Sequence, residues 1–260
     1  MSSVLYEQLE KTAVITLNAP EKQNALSTAM RTELRDLLDQ VTADDGVRSI
    51  ILTGAGKHFC SGGDISEMGA SDGAVDLSRS RLRMGILHAI LRHLVAGPKP
   101  VVACLRGNAF GGGLSLAMAC DYVIADSTGK LCASFARIGL VADVGLLWTL
   151  PQRVGARIAR NLLLSANVVE ADEAGRIGLV DIVTSPDEAM EQALRKSREW
   201  EALAPLSHAA TKLGLARSSG TAEQAMAFES DVQSALFTTA DHIEARKAFL
   251  AKRKPVFTGR

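Results

Sequence analysis

The chain has 260 residues, of which 47% are hydrophobic and 22% are charged, the composition of a folded globular protein. Its 29 basic and 29 acidic residues cancel without blocks of like charge, which argues against a nucleic-acid partner. No apolar run is long enough to cross a bilayer, no signal peptide opens the chain, and the four cysteines lack metal-binding spacing. We therefore expect a cytoplasmic protein with reduced thiols, no metal and no membrane partner.

Hydrophobic patterning predicts a mixed α/β core followed by a helical C-terminal region. Short apolar runs predict strands at 4–9 and 12–17, 47–52, 100–105, 122–125 and 179–183. Helical spacing and helix-ending residues predict helices from 27, then at 82–95, 113–119, 161–164, 170–176, 188–200, 205–216, 221–236 and 242–253. No strand pattern follows Pro186.

Two glycine-rich segments each follow a predicted strand, TGAGKHFCSGGDI at 53–65 and GNAFGGG at 107–113. Neither contains the P-loop pattern or the dinucleotide fingerprint, which argues against phosphoryl transfer and hydride transfer. Glycines that open a helix leave backbone N–H groups free, and one donor from each segment could hold a developing oxyanion. The competing interpretation is that these glycines only make tight turns.

The segment RIGLVADVG, residues 137–145, carries a single carboxylate, Asp143, among apolar residues. Apolar surroundings raise the pKa of a carboxyl group and suit it to proton transfer. The alternative is a structural one, in which Asp143 caps a helix that begins at Val144.

Five segments in this order and spacing resemble the crotonase superfamily, the enoyl-CoA hydratase/isomerase family. They are NAPEKQNALS, FCSGGDI, GNAFGGGLSLAMACD, LLLSANVVEADEAGRIGLVDIV and AFLAKRKPVF. The resemblance implies an α/β, crotonase-like spiral of ββα repeats over 1–203, with a helical C-terminal region over 204–260 that covers the active site. It also implies a homotrimer or a dimer of trimers that acts on acyl-CoA thioesters, with no cofactor beyond the coenzyme A of the substrate.

Carried over by position, the resemblance makes the backbone N–H groups of Ser61 and Gly112 the oxyanion donors. It implies that further residues bind the acyl-CoA: Lys22, Gln23, Ala25, Lys57, His58, Phe59, Gly63, Asp64, Ile65, Gly111, Phe135, Phe249 and Lys252. The last two would reach the coenzyme A of a neighbouring subunit.

The chain departs from the hydratase pattern at both catalytic glutamates, where it has Ser115 and Phe135. Neither side chain can move a proton at neutral pH, whereas adding water to a double bond needs such groups. Asp143 instead matches the single acid of the family's double-bond isomerases, although Ala142 replaces the usual preceding proline. The resemblance therefore favours an enoyl-CoA isomerase in which Asp143 removes and returns one proton.

Three alternatives stay open at this point. The chain could hydrate enoyl-CoA with Asp143 and another group, or bind coenzyme A without catalysis. It could also perform hydrolytic or dehalogenating chemistry with Asp143 as nucleophile and His88 as the group that activates water. The loop 69–83 is expected to border the acyl pocket.

Overall fold

A computed structural model of the chain describes residues 2–67, 77–217 and 220–260. Residues 69–76 of the loop that was expected to border the acyl pocket lie outside this part. The strands are β1 (Val4–Leu9), β2 (Thr12–Leu17), β3 (Ser49–Gly54), β4 (Val101–Leu105), β5 (Asn108–Phe110), β6 (Tyr122–Asp126), β7 (Lys130–Cys132), β8 (Val169–Glu170) and β9 (Ile182–Thr184).

The helices confirm the predicted helical C-terminal region. They are α1 (Thr28–Ala43), α2 (Leu77–Ala96), α3 (Gly112–Met118), α4 (Leu146–Ser165), α5 (Ala171–Arg176), α6 (Ala189–Glu201), α7 (Pro205–Arg217), α8 (Ala222–Leu236) and α9 (Ala240–Leu250). Helix α4 begins well before the predicted start at 161.

The strands form two sheets, one of which the sequence did not reveal. The larger sheet has the order β1-β2-β3-β4-β6-β9, in which β1 is antiparallel to β2 and the other neighbours are parallel. The smaller sheet has the order β5-β7-β8 and includes part of the second glycine-rich segment. The chain thus alternates between strand pairs and helices, as the expected spiral requires.

The central strands of the larger sheet are buried on both faces, as parallel strands usually are. Ile50 and Leu52 of β3 belong to the main core, which includes the buried faces of α1 and α2. Ile51, between them, points to a second cluster that includes Ala193 of α6. This alternation follows from the two-residue period of a strand.

Helix α1 begins where its sequence predicts. The Ser27 side chain accepts a hydrogen bond from the Met30 N–H at 3.2 Å and so caps the first turn. Leu34, Leu38 and Val41 follow at helical spacing and are buried in the main core. Each such side chain contributes about 2 kcal/mol by leaving water.

The C-terminal helices pack back onto the core through α7, which contacts α2. The buried Lys212 ammonium of α7 donates to the Leu94 and Lys99 carbonyls, at 2.8 Å each, and to the Asp121 carboxylate at 2.5 Å. Helix α8, in contrast, has no buried residue. A domain boundary at 203–204 stays a prediction.

The Asn24 side chain ties three loop segments together. Its carbonyl oxygen accepts from the Ala19 N–H at 2.9 Å, and its amide donates to the Ala55 and His58 carbonyls at 2.9 and 2.7 Å. Asn24 is fully buried and has a positive φ of 55°, which asparagine tolerates better than most residues. The asparagine of the NAPEKQNALS segment therefore fixes the shape of the first glycine-rich loop.

We expect Asn24→Ala to lower the free energy of unfolding by about 3 kcal/mol, because it leaves three backbone groups without partners. Urea titration followed by circular dichroism measures this change. Gln40→Ala, at an exposed position of α1, is the control and should stay within about 0.5 kcal/mol of the parent. Equal stability of the two variants would contradict the role given to Asn24.

Candidate active site

Backbone pairing holds the two glycine-rich loops side by side. The Cys60 N–H donates to the Asn108 carbonyl at 3.1 Å, and the Phe110 N–H donates to the Cys60 carbonyl at 2.9 Å. A methyl group on Gly113 would lie 2.3 Å from the Cys60 carbonyl oxygen, so only glycine fits there. The start of α3 is thereby pressed against the first loop.

The closest approach brings Gly62 and Gly63 of the first loop to Gly112 of the second. A methyl group on Gly62 would lie 3.2 Å from the Gly112 nitrogen, and one on Gly112 would lie 3.9 Å from the Gly63 nitrogen. Gly62 also has a φ of +98°, a conformation that favours glycine. Backbone donors from both loops therefore face one small region.

The N–H groups of Gly63 and Gly112 form no hydrogen bond within the described part of the chain. The Ser61 N–H, in contrast, donates to the Gln23 carbonyl at 2.9 Å. This bond corrects the expectation for Ser61, because an N–H that already has a backbone acceptor is not free for a substrate oxygen. The Gly112 N–H is free to donate to a substrate oxygen, as expected, and the Gly63 N–H becomes the candidate oxyanion donor of the first loop.

Asp143 lies between a short 3₁₀ turn, Ser134–Ile138, and the start of α4. Its side chain is half-buried, and its Oδ1 atom is buried without a hydrogen-bond partner among the described residues. Burial raises the pKa of the Asp143 carboxyl above the ordinary aspartate value, whereas the positive charges of Arg83 and Arg31 and a hydrogen bond from the Asp143 backbone N–H lower it by smaller amounts. This is the environment of a proton acceptor.

The capping alternative for Asp143 is wrong. Helix α4 begins at Leu146, its N-cap residue is Gly145, and no side chain caps it. Only the Asp143 backbone carbonyl takes part in this turn, where it accepts from the Leu146 N–H at 3.1 Å. The carboxylate is therefore not occupied by the helix.

The backbone next to Asp143 is strained. Val144 has a φ of +49°, which is rare for a β-branched residue and costs on the order of 1–3 kcal/mol. Gly145 follows with a φ of +74°, and a methyl group there would lie 2.5 Å from a methyl carbon of Leu91 in α2. Helix α2 thus packs directly against the segment that carries Asp143.

Neither position of the hydratase glutamates holds a group that could replace Asp143. Ser115 is fully buried in α3, and its hydroxyl donates to the Gly111 carbonyl at 3.2 Å. Phe135 is buried in the 3₁₀ turn. His88 is an exposed residue of α2, and its side chain forms no hydrogen bond within the described residues.

The residues expected to bind coenzyme A divide by exposure. Exposed side chains suited to contact a ligand are Lys22, Gln23, Lys57, Ile65, Phe249 and Lys252. His58 is half-buried, while Ala25, Phe59 and Asp64 are buried. Phe59 belongs to the main core, so that a ligand could reach it only through its backbone.

Several of these expected residues, among them Asp64, Lys22 and Gly111, already have partners inside the protein. The Asp64 carboxylate pairs with the Lys22 ammonium at 3.0 Å and accepts from the Ser66 hydroxyl at 2.5 Å. The Gly111 N–H donates to the Cys132 carbonyl at 2.9 Å. Asp64 and Gly111 therefore shape the loops, and Lys22 is oriented by its ion pair.

Sequence reasoning missed two arginines near Asp143. Arg31 of α1 is buried, and its guanidinium donates to the Leu26 carbonyl and to the Thr28 hydroxyl at 2.9 Å. Arg83 of α2 is half-buried. Arg31 could have been noticed, because it stands beside Met30 on the apolar stripe of α1, where a charge is unusual.

Neither a membrane-spanning helix nor a metal centre is present in the part of the chain that is described. No helix in residues 2–67, 77–217 and 220–260 is long and apolar enough to span a membrane. The same residues contain no group of three or more His, Cys, Asp or Glu side chains that could hold a metal ion.

Comparisons with known proteins agree with this geometry. A model of the enoyl-CoA hydratase/isomerase family matches residues 7–260. A protein of Rhodobacter capsulatus named probable enoyl-CoA hydratase is 38% identical over 260 residues, covering 99% of this chain and 98% of its own. The 1,2-epoxyphenylacetyl-CoA isomerase of Escherichia coli K12 is 33% identical over 273 residues and covers 100% of both chains.

A solved structure confirms the expected fold class. The crystal structure of an enoyl-CoA hydratase from Polaromonas sp. JS666 superposes with a TM-score of 0.91 and 30% identity, covering 98% of this chain and 99% of that chain. Relatives named hydratase and isomerase therefore share this fold, and the name alone does not select the reaction.

We expect Asp143→Asn to stabilise the protein at pH 7, by on the order of 1 kcal/mol. Because burial raises the pKa of Asp143 in the folded state, its ionised form is penalised above that pKa. The gain should shrink as the pH falls through the raised pKa and vanish below the ordinary aspartate value of 3.8.

Thermal unfolding of Asp143→Asn and the parent across this pH range measures the effect. Asp187→Asn, at an exposed position, is the matched control and should show no such trend. A loss of stability in Asp143→Asn at pH 7 would show that the carboxylate has a structural partner.

Proposed function

The chain belongs to the enoyl-CoA hydratase/isomerase family, and we propose that it is an enoyl-CoA isomerase that shifts a carbon–carbon double bond with Asp143 as its acid/base. The observation that carries this proposal is the Asp143 carboxylate, whose buried Oδ1 atom has no hydrogen-bond partner among the described residues, in a chain that lacks both hydratase glutamates. A single group suffices for isomerisation, because the proton removed is the proton returned.

The reaction begins with proton removal next to the thioester carbonyl. Asp143 takes a proton from the α-carbon of a β,γ-unsaturated acyl-CoA, and the electron pair moves onto the thioester oxygen to form a dienolate. The free N–H groups of Gly63 and Gly112 would donate to that oxygen as its negative charge grows. Protonated Asp143 then delivers the proton to the γ-carbon, which leaves the α,β-unsaturated product.

Burial of Asp143 supports both half-reactions. A raised pKa makes its carboxylate a stronger base toward the weakly acidic α-proton. An apolar surrounding also slows exchange of the captured proton with solvent, so that part of it returns to the substrate and the rest is replaced by a solvent proton.

Hydration of an α,β-enoyl-CoA is the second candidate, and relatives with hydratase names favour it. It would need a further group to hold the water, and Ser115 is fully buried with its hydroxyl bound to its own helix. Hydrolytic or dehalogenating chemistry would pair Asp143 with His88, and coenzyme A binding without catalysis would need neither. Cytoplasmic location and the need for no further cofactor stay predictions from the sequence.

We expect Asp143→Asn to lower kcat/KM for a β,γ-enoyl-CoA by about 10²- to 10⁴-fold, because the amide cannot accept the proton. Formation of the conjugated thioester, followed by absorbance, measures the rate. In deuterated water the parent should exchange α- or γ-protons of the substrate, and the variant should not. Asp187→Asn is the control and should retain parental activity.

The same assay separates the alternatives. Isomerisation that survives in Asp143→Asn would overturn the proposed role of this residue. Addition of water to an α,β-enoyl-CoA without isomerisation would establish the hydratase instead. Loss of the acyl or halogen substituent without proton exchange would support the reaction that uses His88, and binding without turnover would support a non-catalytic role.

We also propose that the chain assembles as a homotrimer or a dimer of trimers through its C-terminal helices. Phe249 and Leu250, at the end of α9, are 84% and 79% exposed in the single chain. Neighbouring large apolar side chains at such exposure mark an interaction surface. Exposed Lys252 lies two residues further and could reach a neighbour's substrate.

Light scattering after size exclusion should give three or six times the mass of the chain. Phe249→Asp should shift the distribution toward smaller species, because it places a charge in the apolar contact. The control is Gln40→Asp on the exposed face of α1, which should leave the mass unchanged. A monomeric parent protein would overturn the proposed assembly.

A further inference from the structure

Three of the polar atoms left without partners belong to one charged group of side chains. Within the described residues, the buried side-chain nitrogen and oxygen atoms without a hydrogen bond are Arg31 Nε, Arg83 Nε, Asp143 Oδ1 and Ser197 Oγ. A buried polar atom without a partner costs about 1–3 kcal/mol, and more when the group is charged. Such atoms are rare in native proteins, and a functional role is one explanation for them.

Electrostatic interactions link the three charged side chains. Burial lowers the pKa of the Arg31 guanidinium, the nearby charge of Arg83 lowers it further, and the negative charge of Asp143 raises it. Arg83 is also the positive charge with the largest effect on Asp143. The two arginines and Asp143 are therefore close enough to affect one another's charge, yet neither arginine lies within 4.0 Å of the Asp143 carboxylate in the described structure.

Local contacts connect Arg31 to the first glycine-rich loop and α2 to the Asp143 segment. Arg31 holds the Leu26 carbonyl, and the Leu26 N–H donates to the Gly62 carbonyl at 2.7 Å, directly before the candidate donor Gly63. Arg83 lies about two helical turns before Leu91, whose side chain packs on Gly145. One arginine is thus tied to the first loop, and the other is on the helix that supports Asp143.

The two arginines differ in whether a carboxylate lies close to the guanidinium group. Arg31 has a carboxylate neighbour, Glu67, at 3.8 Å, and its side chain is only 6% exposed. Asp64, which also acts on Arg31, is itself paired with Lys22. Arg83 has no carboxylate within 4.0 Å among the described residues, so its charge and its buried Nε are both unmatched.

We infer that the acyl group of the substrate carries a carboxylate at the end remote from the thioester, and that Arg83 binds it, with Arg31 as its cationic neighbour. This inference rests on the proposed function, because it places an acyl-CoA between the glycine-rich loops and Asp143. A free Nε is the donor that a carboxylate uses, together with one terminal nitrogen, for side-on bidentate binding. A neutral acyl chain would leave the buried Nε of Arg83 without an acceptor.

The experiment compares two β,γ-unsaturated acyl-CoA thioesters of equal chain length. One ends in a carboxylate and the other in its methyl ester, and the pair is repeated at successive chain lengths. We expect the parent protein to show a kcat/KM that is about 10- to 100-fold higher for the carboxylate at its preferred length. Arg83→Met should abolish this ratio, and Arg83→Lys should restore part of it.

Arg81→Met is the matched control, because Arg81 is exposed on the same helix two residues away and loses the same charge. It should leave the ratio at the parental value. A ratio near one in the parent at every chain length would overturn the inference. An equal loss for both thioesters in Arg83→Met would also overturn it, because the arginine would then serve the fold or the reaction without recognising the anion.

A binding measurement separates this inference from the proposed function. Calorimetry with the saturated acyl-CoA pair, ending in a carboxylate or in its methyl ester, needs no turnover. Tighter binding of the carboxylate by the parent but not by Arg83→Met would support the inference even if Asp143→Asn kept its isomerase activity. Equal binding of the two thioesters would reject the anion site while leaving the isomerase proposal intact.

Discussion

The close approach of two backbone loops is the constraint on which the site depends. The Cys60 carbonyl accepts from the Phe110 N–H and lies where any side chain at Gly113 would have to go. Hydrogen bonds to the Asn24 side chain and the short strand β5 hold the two loops in this position. Small residues are required there because a side chain would collide with the facing backbone, and under the proposed function a substrate oxygen enters the space between the loops.

The segment that carries Asp143, on the other side of the site, lowers the stability of the fold. Leu91 of helix α2 packs closely on Gly145, and Val144, between Gly145 and Asp143, has a strained positive φ. A carboxylate with one buried, unpartnered oxygen destabilises the fold at neutral pH, and the apolar core around α1, α2 and α4 offsets that cost. Strain and an unpaired carboxylate persist at one point because the surrounding packing fixes them.

The sequence predicts what is periodic and misses what depends on a tertiary contact. Strands β1 and β2 follow from two strand-like runs around a polar turn, and helix α1 follows from its apolar spacing and the Ser27 cap. Strands of two or three residues, such as β5 and β8, are too short for a period to show. A motif locates the first glycine-rich loop, but only the structure shows which N–H of that loop is available. The Ser61 N–H donates to the Gln23 carbonyl, whereas the Gly63 N–H forms no hydrogen bond among the described residues. The unmatched charge of Arg83 is likewise a property of the packed structure alone.

Recognition of an anion at Arg83 would also change the chemistry at Asp143. Burial raises the pKa of Asp143, and the positive charges of Arg83 and Arg31 oppose that effect. As the reaction starts, negative charge moves from Asp143 to the thioester oxygen. The two arginines oppose this movement because they attract the negative charge on Asp143. A carboxylate bound to Arg83 neutralises the larger of these opposing charges and so makes Asp143 a stronger base. Binding of the anion at the far end of the acyl chain would then lower the barrier to proton removal at the reacting carbon. A substrate without the anion would therefore lose kcat as well as affinity.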